Sequence, residues 1–151
     1  MSYGYPLASD ATRDLLRSGL ANLGNRTEQF QNWLLAGQLT QVIAVVDHQP
    51  KALSDLLPIV ANPGASMSVR FGASAVLERY AGQLPLQSLV PVLGLLTGHG
   101  DARVRSDACH LLGLSGSNRA INYLEARRDD PDADVREIVL ESLDQLLNNK
   151  E

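Results

Sequence analysis

Apolar positions in the second half of the chain recur with the period of a helix's buried stripe, in the same arrangement three times over. The dipeptide Val-Arg stands at Val69-Arg70, Val104-Arg105 and Val135-Arg136, at intervals of 35 and 31 residues. Four residues after each valine comes Ala73, Ala108 or Val139, and eight after it Leu77, Leu112 or Leu143. Steps of four and eight stay on one face of a helix, so these positions predict a stripe turned to a core. In the middle copy Val104, Ala108, Leu111 and Leu112 fall within about 100° of arc, with Ser106 and His110 opposite. Three residues ahead of each valine stands Ser66, Asp101 or Asp132, where a side-chain oxygen caps the first backbone N–H groups of a helix.

Between the signature helices lie second apolar segments, Leu86 to Thr97 and Asn118 to Arg128, closed by Gly98-His99-Gly100 and Asp129-Asp130-Pro131. Pro50 to Ala61, closed by Asn62-Pro63-Gly64, bears the same relation to Val69, and Leu39 to Val46 reads as a degenerate first helix. Upstream, Ser9 to Leu23 and Thr27 to Ala36 form another pair, with Gly24 and Gly37 as their stops, although residues 28–47 also fit one kinked helix. The pattern predicts an all-α chain of about nine helices without strands. It forms an α-solenoid, a right-handed superhelical stack of antiparallel hairpins. Its units are a flexible arm at 1–8, an N-terminal hairpin at 9–36, a degenerate repeat at 38–65, repeats at 66–100 and 101–131, and a capping helix at 132–149. Outer positions Glu137, Glu141, Asp144 and Gln145 give that last helix a polar end.

Composition narrows the function more than the fold. At 151 residues the chain is one domain's worth, and its 44% apolar and 20% charged content is that of a folded globule. Thirteen Lys and Arg against seventeen Asp and Glu leave a net charge of −4, which argues against a surface built to neutralise phosphates. Neither nucleic acid nor membrane is expected as a partner, since the best apolar run, Leu84 to Leu96, is interrupted by Pro85, Gln87, Ser88, Pro91 and Gly94. The single Cys109 has no internal disulfide partner and residues 1–10 have no secretory pattern, so a cytoplasmic location is expected.

The segments Asp101-Ala-Arg-Val-Arg-Ser-Asp-Ala and Asp132-Ala-Asp-Val-Arg-Glu-Ile-Val resemble the HEAT-like repeats typified by phycobilisome lyase subunits. The resemblance is clear over 66–148 and degenerate over 38–65. It implies an inter-repeat ladder in which Arg70, Arg105 and Arg136 reach acidic or capping groups near the start of a neighbouring repeat. Ser66 replaces the aspartate in the first copy, which leaves Arg70 without an evident anion. It also implies, as an alternative role, an accessory subunit for cofactor or chromophore attachment, in which Cys109, His110 or Tyr123 would face a ligand groove.

Stacked hairpins line a continuous concave strip with their second helices, and that strip is the expected binding surface for another protein or peptide. Its expected exposed positions are Lys51, Ser54 and Asp55, then Gln87, Ser88 and Thr97, then Asn118, Arg119, Asn122, Tyr123, Arg127 and Arg128. Tyr123 with Arg119 or Arg127 would anchor a partner carrying apolar groups and carboxylates. The competing reading, in which these arginines pair with Glu125, Asp129 and Asp130, stays open on sequence alone.

Catalytic and metal constellations are weak. Asp130, Asp132, Asp134 and Glu141 take positions 1, 3, 5 and 12 of a calcium loop, but position 6 is the β-branched Val135 where that loop needs glycine. Cys109 and His110 are adjacent on a helix and point about 100° apart, so they do not share a metal comfortably; His99 reads as a turn residue. The repeated His-Glu pairs of HEAT-like hydroxylases are absent, as are a nucleophile elbow, a phosphate loop, Cys-x-x-Cys and His-Glu-x-x-His. Trp33 falls on an apolar stripe, as a core residue would. No cofactor, metal or catalytic residue is expected. Tyr3 and Tyr5 could anchor the N-terminal arm in a groove.

If the stripe is the core, Leu112→Asp buries a carboxylate without a partner. That costs several kcal/mol against a total stability of roughly 5–15. A far-UV circular dichroism melt should show the fold lost or its midpoint sharply lowered.

Overall fold

Each signature helix starts at the side chain that precedes it. In the computed structural model, which describes residues 26–148, Ser66 Oγ accepts from the Val69 N–H at 3.4 Å. Asp101 Oδ1 accepts from the Arg103 N–H at 2.8 Å, and Asp132 Oδ1 from the N–H groups of Asp134 and Val135 at 2.9 and 3.1 Å. The helices they open are α4 (Met67–Glu78), α7 (Ala102–Ser115) and α9 (Ala133–Asn148). Before them come α1 over residues 26–35 and α2 (Leu39–His48). Gly37, at φ +76°, separates these two, so 28–47 is two helices and not one. The expected arm with Tyr3 and Tyr5, and the helix Ser9 to Leu23, lie outside the described residues.

The second helices are shorter and more broken than the apolar pattern predicts. The expected Pro50 to Ala61 divides into a 3-10 stretch, Pro50–Leu56, and α3 (Leu57–Val60); Leu86 to Thr97 divides into α5 (Leu84–Gln87) and α6 (Val90–Leu96). Pro58 and Pro91 are each the second residue of the later piece. Proline has no N–H to give the carbonyl four residues back and crowds that turn, so it is tolerated where a helix begins and ends whatever precedes it. The third second helix, α8 (Ala120–Glu125), spans only part of the predicted Asn118 to Arg128.

Among the described residues the chain is helical without strands, and it is an α-solenoid. Consecutive first helices pack in sequence, α4 on α7 and α7 on α9, and α6 packs on α8 behind them. The stripe Val104, Ala108, Leu111 and Leu112 is wholly buried, as are its counterparts Val69, Ala73, Leu77, Val135 and Val139, with Leu143 nearly so. Trp33 packs against the same core, its ring centroid 6.3 Å from that of Phe30. The outer face of α9 is less polar than expected: Leu140 and Leu147 stand more than half exposed beside Glu137, Glu141 and Asp144.

The α7–α9 interface is close enough to need glycine. A Cβ on Gly113 would lie 2.6 Å from Ser142 Cβ and 2.9 Å from its Cα, so a side chain there meets backbone that cannot rotate away. Gly113→Val should therefore force α7 and α9 apart at a cost of about 1–3 kcal/mol, read as a lowered urea midpoint.

Candidate functional site

The arginines of the signature tie each first helix to the chain before it, and two of them also tie it to the chain that follows. Arg105 grips Asp130 with two bonds, Nε to Oδ2 at 2.9 Å and Nη2 to Oδ1 at 3.0 Å, while its Nη1 donates to the carbonyls of His99 and Gly100 at 3.0 and 3.2 Å. Asp130 lies in the turn before α9, wholly buried, and also accepts from the Asp132 N–H at 2.9 Å. Burial alone would raise its pKa; the bonds from Arg105 and the Asp132 N–H, with the charges of Arg105 and Arg127, outweigh that and hold it below the usual carboxylate value.

Arg136 repeats the backward half of this arrangement, donating from Nη1 to the carbonyl of Asp130 at 2.7 Å. Arg70 does have an anion, contrary to expectation. Its Nη2 donates to Asp107 Oδ2 at 2.7 Å and to the Val60 carbonyl at 3.3 Å. The partner comes from the interior of α7 and not from a cap, which is why the missing aspartate at Ser66 does not decide the matter. The rung is poorer than that of Arg105: the buried Nε of Arg70 has no acceptor among the described residues, and Asp107 is partly exposed.

The second-helix face holds most of the expected surface residues, with two corrections. Asp55 is buried, its carboxylate 3.9 Å from Arg26 and its carbonyl accepting from Thr27 Oγ1 at 2.8 Å, because α1 packs over it. Thr97 is buried at the end of α6, its hydroxyl donating to the Gly94 carbonyl at 2.6 Å. Lys51, Ser54, Ser88, Asn118, Arg119, Asn122 and Arg128 are exposed; Gln87, Tyr123 and Arg127 are partly covered.

The partly covered residues serve the stack itself. A Cβ on Gly94 would fall 2.4 Å from the Tyr123 ring, so that ring fills the place a side chain would take between α6 and α8. Arg127 donates to the Thr97 carbonyl at 3.2 Å and lies 3.6 Å from Asp130, and Arg128 pairs with Glu125. Gln87 Nε2 donates to the Ser115 carbonyl at 3.0 Å. Arg119 alone of these arginines has no carboxylate partner among the described residues; its Nη2 donates to the Gln87 carbonyl at 3.3 Å. Pro91, four residues on from Gln87, has no N–H with which to claim that carbonyl.

Sequence reasoning missed the largest feature of this face. Leu84 on α5 and Val92 and Leu95 on α6 are 77%, 44% and 77% exposed, while Leu86, Leu89, Val90 and Leu93 are buried. The signal was present: Leu84, Val92 and Leu95 are apolar residues out of phase with the buried series. Met67 and Phe71 on α4, 68% and 67% exposed, were missed likewise.

Cys109 is fully buried, and burial with the nearby Asp130 charge pushes its thiol up to about 12, so it sits protonated in the core as an apolar packing residue. His110 turns away to Glu78, Nε2 to Oε2 at 3.2 Å. His99 Nδ1 accepts from the Asp101 N–H at 2.9 Å, the role Asp130 plays one repeat later. Among the described residues no three His, Cys, Asp or Glu side chains gather as metal ligands would. No described helix is long and apolar enough to cross a membrane.

With capped first helices, layered packing and arginine rungs in place, comparison with known families becomes specific. The chain matches the HEAT repeats family over residues 53–144. It belongs to that family. The matched span takes this HEAT-repeat protein from the second half of its degenerate repeat into α9, and it bears on HEAT repeats at large, without support for the phycobilisome lyase type. No match was found among curated proteins or among solved structures.

Asp130 is the residue on which the turn most depends. Asp130→Ala leaves the Arg105 charge, 11% exposed, without its counterion, and should cost about 3–5 kcal/mol. Because the folded pKa of Asp130 is depressed, its contribution is complete above the unfolded carboxylate value near 3.8 and is lost as pH falls through the lower folded value. Urea titrations should therefore show the gap between wild type and variant widest near neutrality and closing below about pH 4.

Proposed function

We propose that the protein is a non-catalytic scaffold or adaptor that binds another protein along its second-helix face. The observation that carries this reading is the exposed surface of α5 and α6, where three large apolar side chains, Leu84, Val92 and Leu95, stand in solvent near the exposed Ser88. Exposed apolar groups that contribute nothing to the core are a liability unless something covers them. The next second helix supplies the polar margin: Asn118, Asn122 and Arg119, whose charge has no carboxylate of its own among the described residues. A partner segment that presents apolar side chains to Leu84 and Leu95 and a carboxylate to Arg119 complements the face.

Of the anchors the sequence favours, Arg119 is kept and the exposed leucines join it. Tyr123 and Arg127 are committed to packing and hydrogen bonding within the stack, so they shape the wall; the leucines and Arg119 offer the contacts.

Affinity capture from the protein's own cells tests the reading. Leu84→Ser with Leu95→Ser, both at highly exposed positions, should melt as wild type does yet lose the captured partner, and Arg119→Glu should weaken its retention about tenfold or more. Retention unchanged in both folded variants would overturn it.

A further inference from the structure

We infer that the cleft between the starts of α4, α7 and α9 is a second docking site, one that takes a lysine- or arginine-bearing segment of a partner protein. The cleft has a volume of about 420 Å³ and is lined by the first helices and the turns before them, with no residue of α5 or α6 in its lining. That volume falls within the range of pockets that hold small ligands or side chains, roughly 300–1,000 Å³.

One wall is apolar and open. Met67 and Phe71, one helical turn apart on α4, are 68% and 67% exposed and both line the cleft. Such a wall suits the aliphatic stem of a long basic side chain, and the face of a phenyl ring attracts a cation.

The opposite side decides the sign of the charge. Both arginines of the cleft are ion-paired, Arg70 with Asp107 at 2.7 Å and Arg103 with Asp101 at 3.1 Å, and Arg70 Nε, without an acceptor among the described residues, is buried out of an incoming group's reach. The remaining acids, Asp132 and Asp134, form no ion pair among the described residues. Asp132 uses only Oδ1 to cap α9, and the exposed carboxylate of Asp134 makes no hydrogen bond or ion pair among the described residues. What the cleft offers an incoming group is therefore unused acceptor capacity beside exposed apolar surface. An acidic segment would meet like charge, and a wholly apolar one would strip water from Asp132 and Asp134 without replacing it.

The test uses a fluorescein-labelled helical peptide of leucine and lysine and its counterpart with glutamate for every lysine. The lysine peptide should bind the whole chain, raising fluorescence anisotropy, and should shift the amide NMR signals of residues 67–71, 103–107 and 132–134. The glutamate peptide should bind at least about tenfold more weakly. Phe71→Ser with Asp134→Asn should cost about tenfold in affinity for the lysine peptide, whereas Leu84→Ser with Leu95→Ser should leave it unchanged. Met67→Ser is a second, independent substitution should the first pair melt early, with weaker binding expected. The inference is overturned if the lysine peptide shows no binding up to about 1 mM, if both peptides bind alike, if the Phe71 and Met67 variants bind as wild type does, or if the shifts centre on residues 84–95. Because the leucine variants report on the other face, failure here leaves the scaffold reading standing, and the reverse holds.

Discussion

The contact between Arg105 and Asp130 is the point through which the repeat turns into a stack. A helical hairpin of this size cannot bury its own apolar faces and must find a neighbour in one register. Dispersion and burial supply the attraction but tolerate sliding; a guanidinium held by two carboxylate oxygens and two carbonyls does not. Desolvating this pair is expensive, and the arrangement persists because its hydrogen-bonding groups are so well used. The single bond from Arg70 to Asp107 performs the same task between α4 and α7 with an unused Nε and a partly exposed partner. The ladder is thus graded along the stack, strongest where α7 meets α9.

That gradient bears on where surface is left over. Along the bodies of α7 and α9 the close approach of Gly113 to Ser142 and the buried ion pair leave no gap, and the spare groups of this pair lie at the helix starts. Around α4–α7 the helices leave a cleft, and the middle second helix carries leucines that no neighbour covers. In a solenoid both kinds of surface arise without harm to the core, because each layer is stabilised by its neighbours and its remaining faces are free to differ. The two faces also differ in chemistry: apolar with an arginine that has no carboxylate among the described residues on the second helices, apolar with spare carboxylates at the starts of the first.

Much of this was legible in the chain because it is local. Ser66, Asp101 and Asp132 cap within three residues, and the Val, Ala and Leu of each copy share a stripe by helical spacing alone. The long-range part was not. Nothing near Ser66 indicates that Arg70 will find Asp107, since that carboxylate is mid-helix and 37 residues away. Asp55 and Thr97 look like surface residues until α1 and the helix end cover them. Tyr123 has the composition of an anchor for a partner, but the glycine opposite it, Gly94, belongs to another repeat and reveals its purpose only once the two helices are packed. Proline placement was the strongest unused local signal, since Pro58 and Pro91 mark the breaks in both second helices.

Pro91 also leaves a trace in how the layers are joined. An ordinary residue there would offer its amide across the α5–α6 break to the carbonyl of Gln87; the imide nitrogen offers nothing, and the oxygen serves Arg119 of the following layer. The tie is made to main chain, so it is indifferent to which amino acid occupies position 87 and sensitive to the one at position 91. Drift at the first site would pass unnoticed by this bond, while replacement of the ring would bring a second donor to the same oxygen, whose two lone pairs would then be shared between helix and seam.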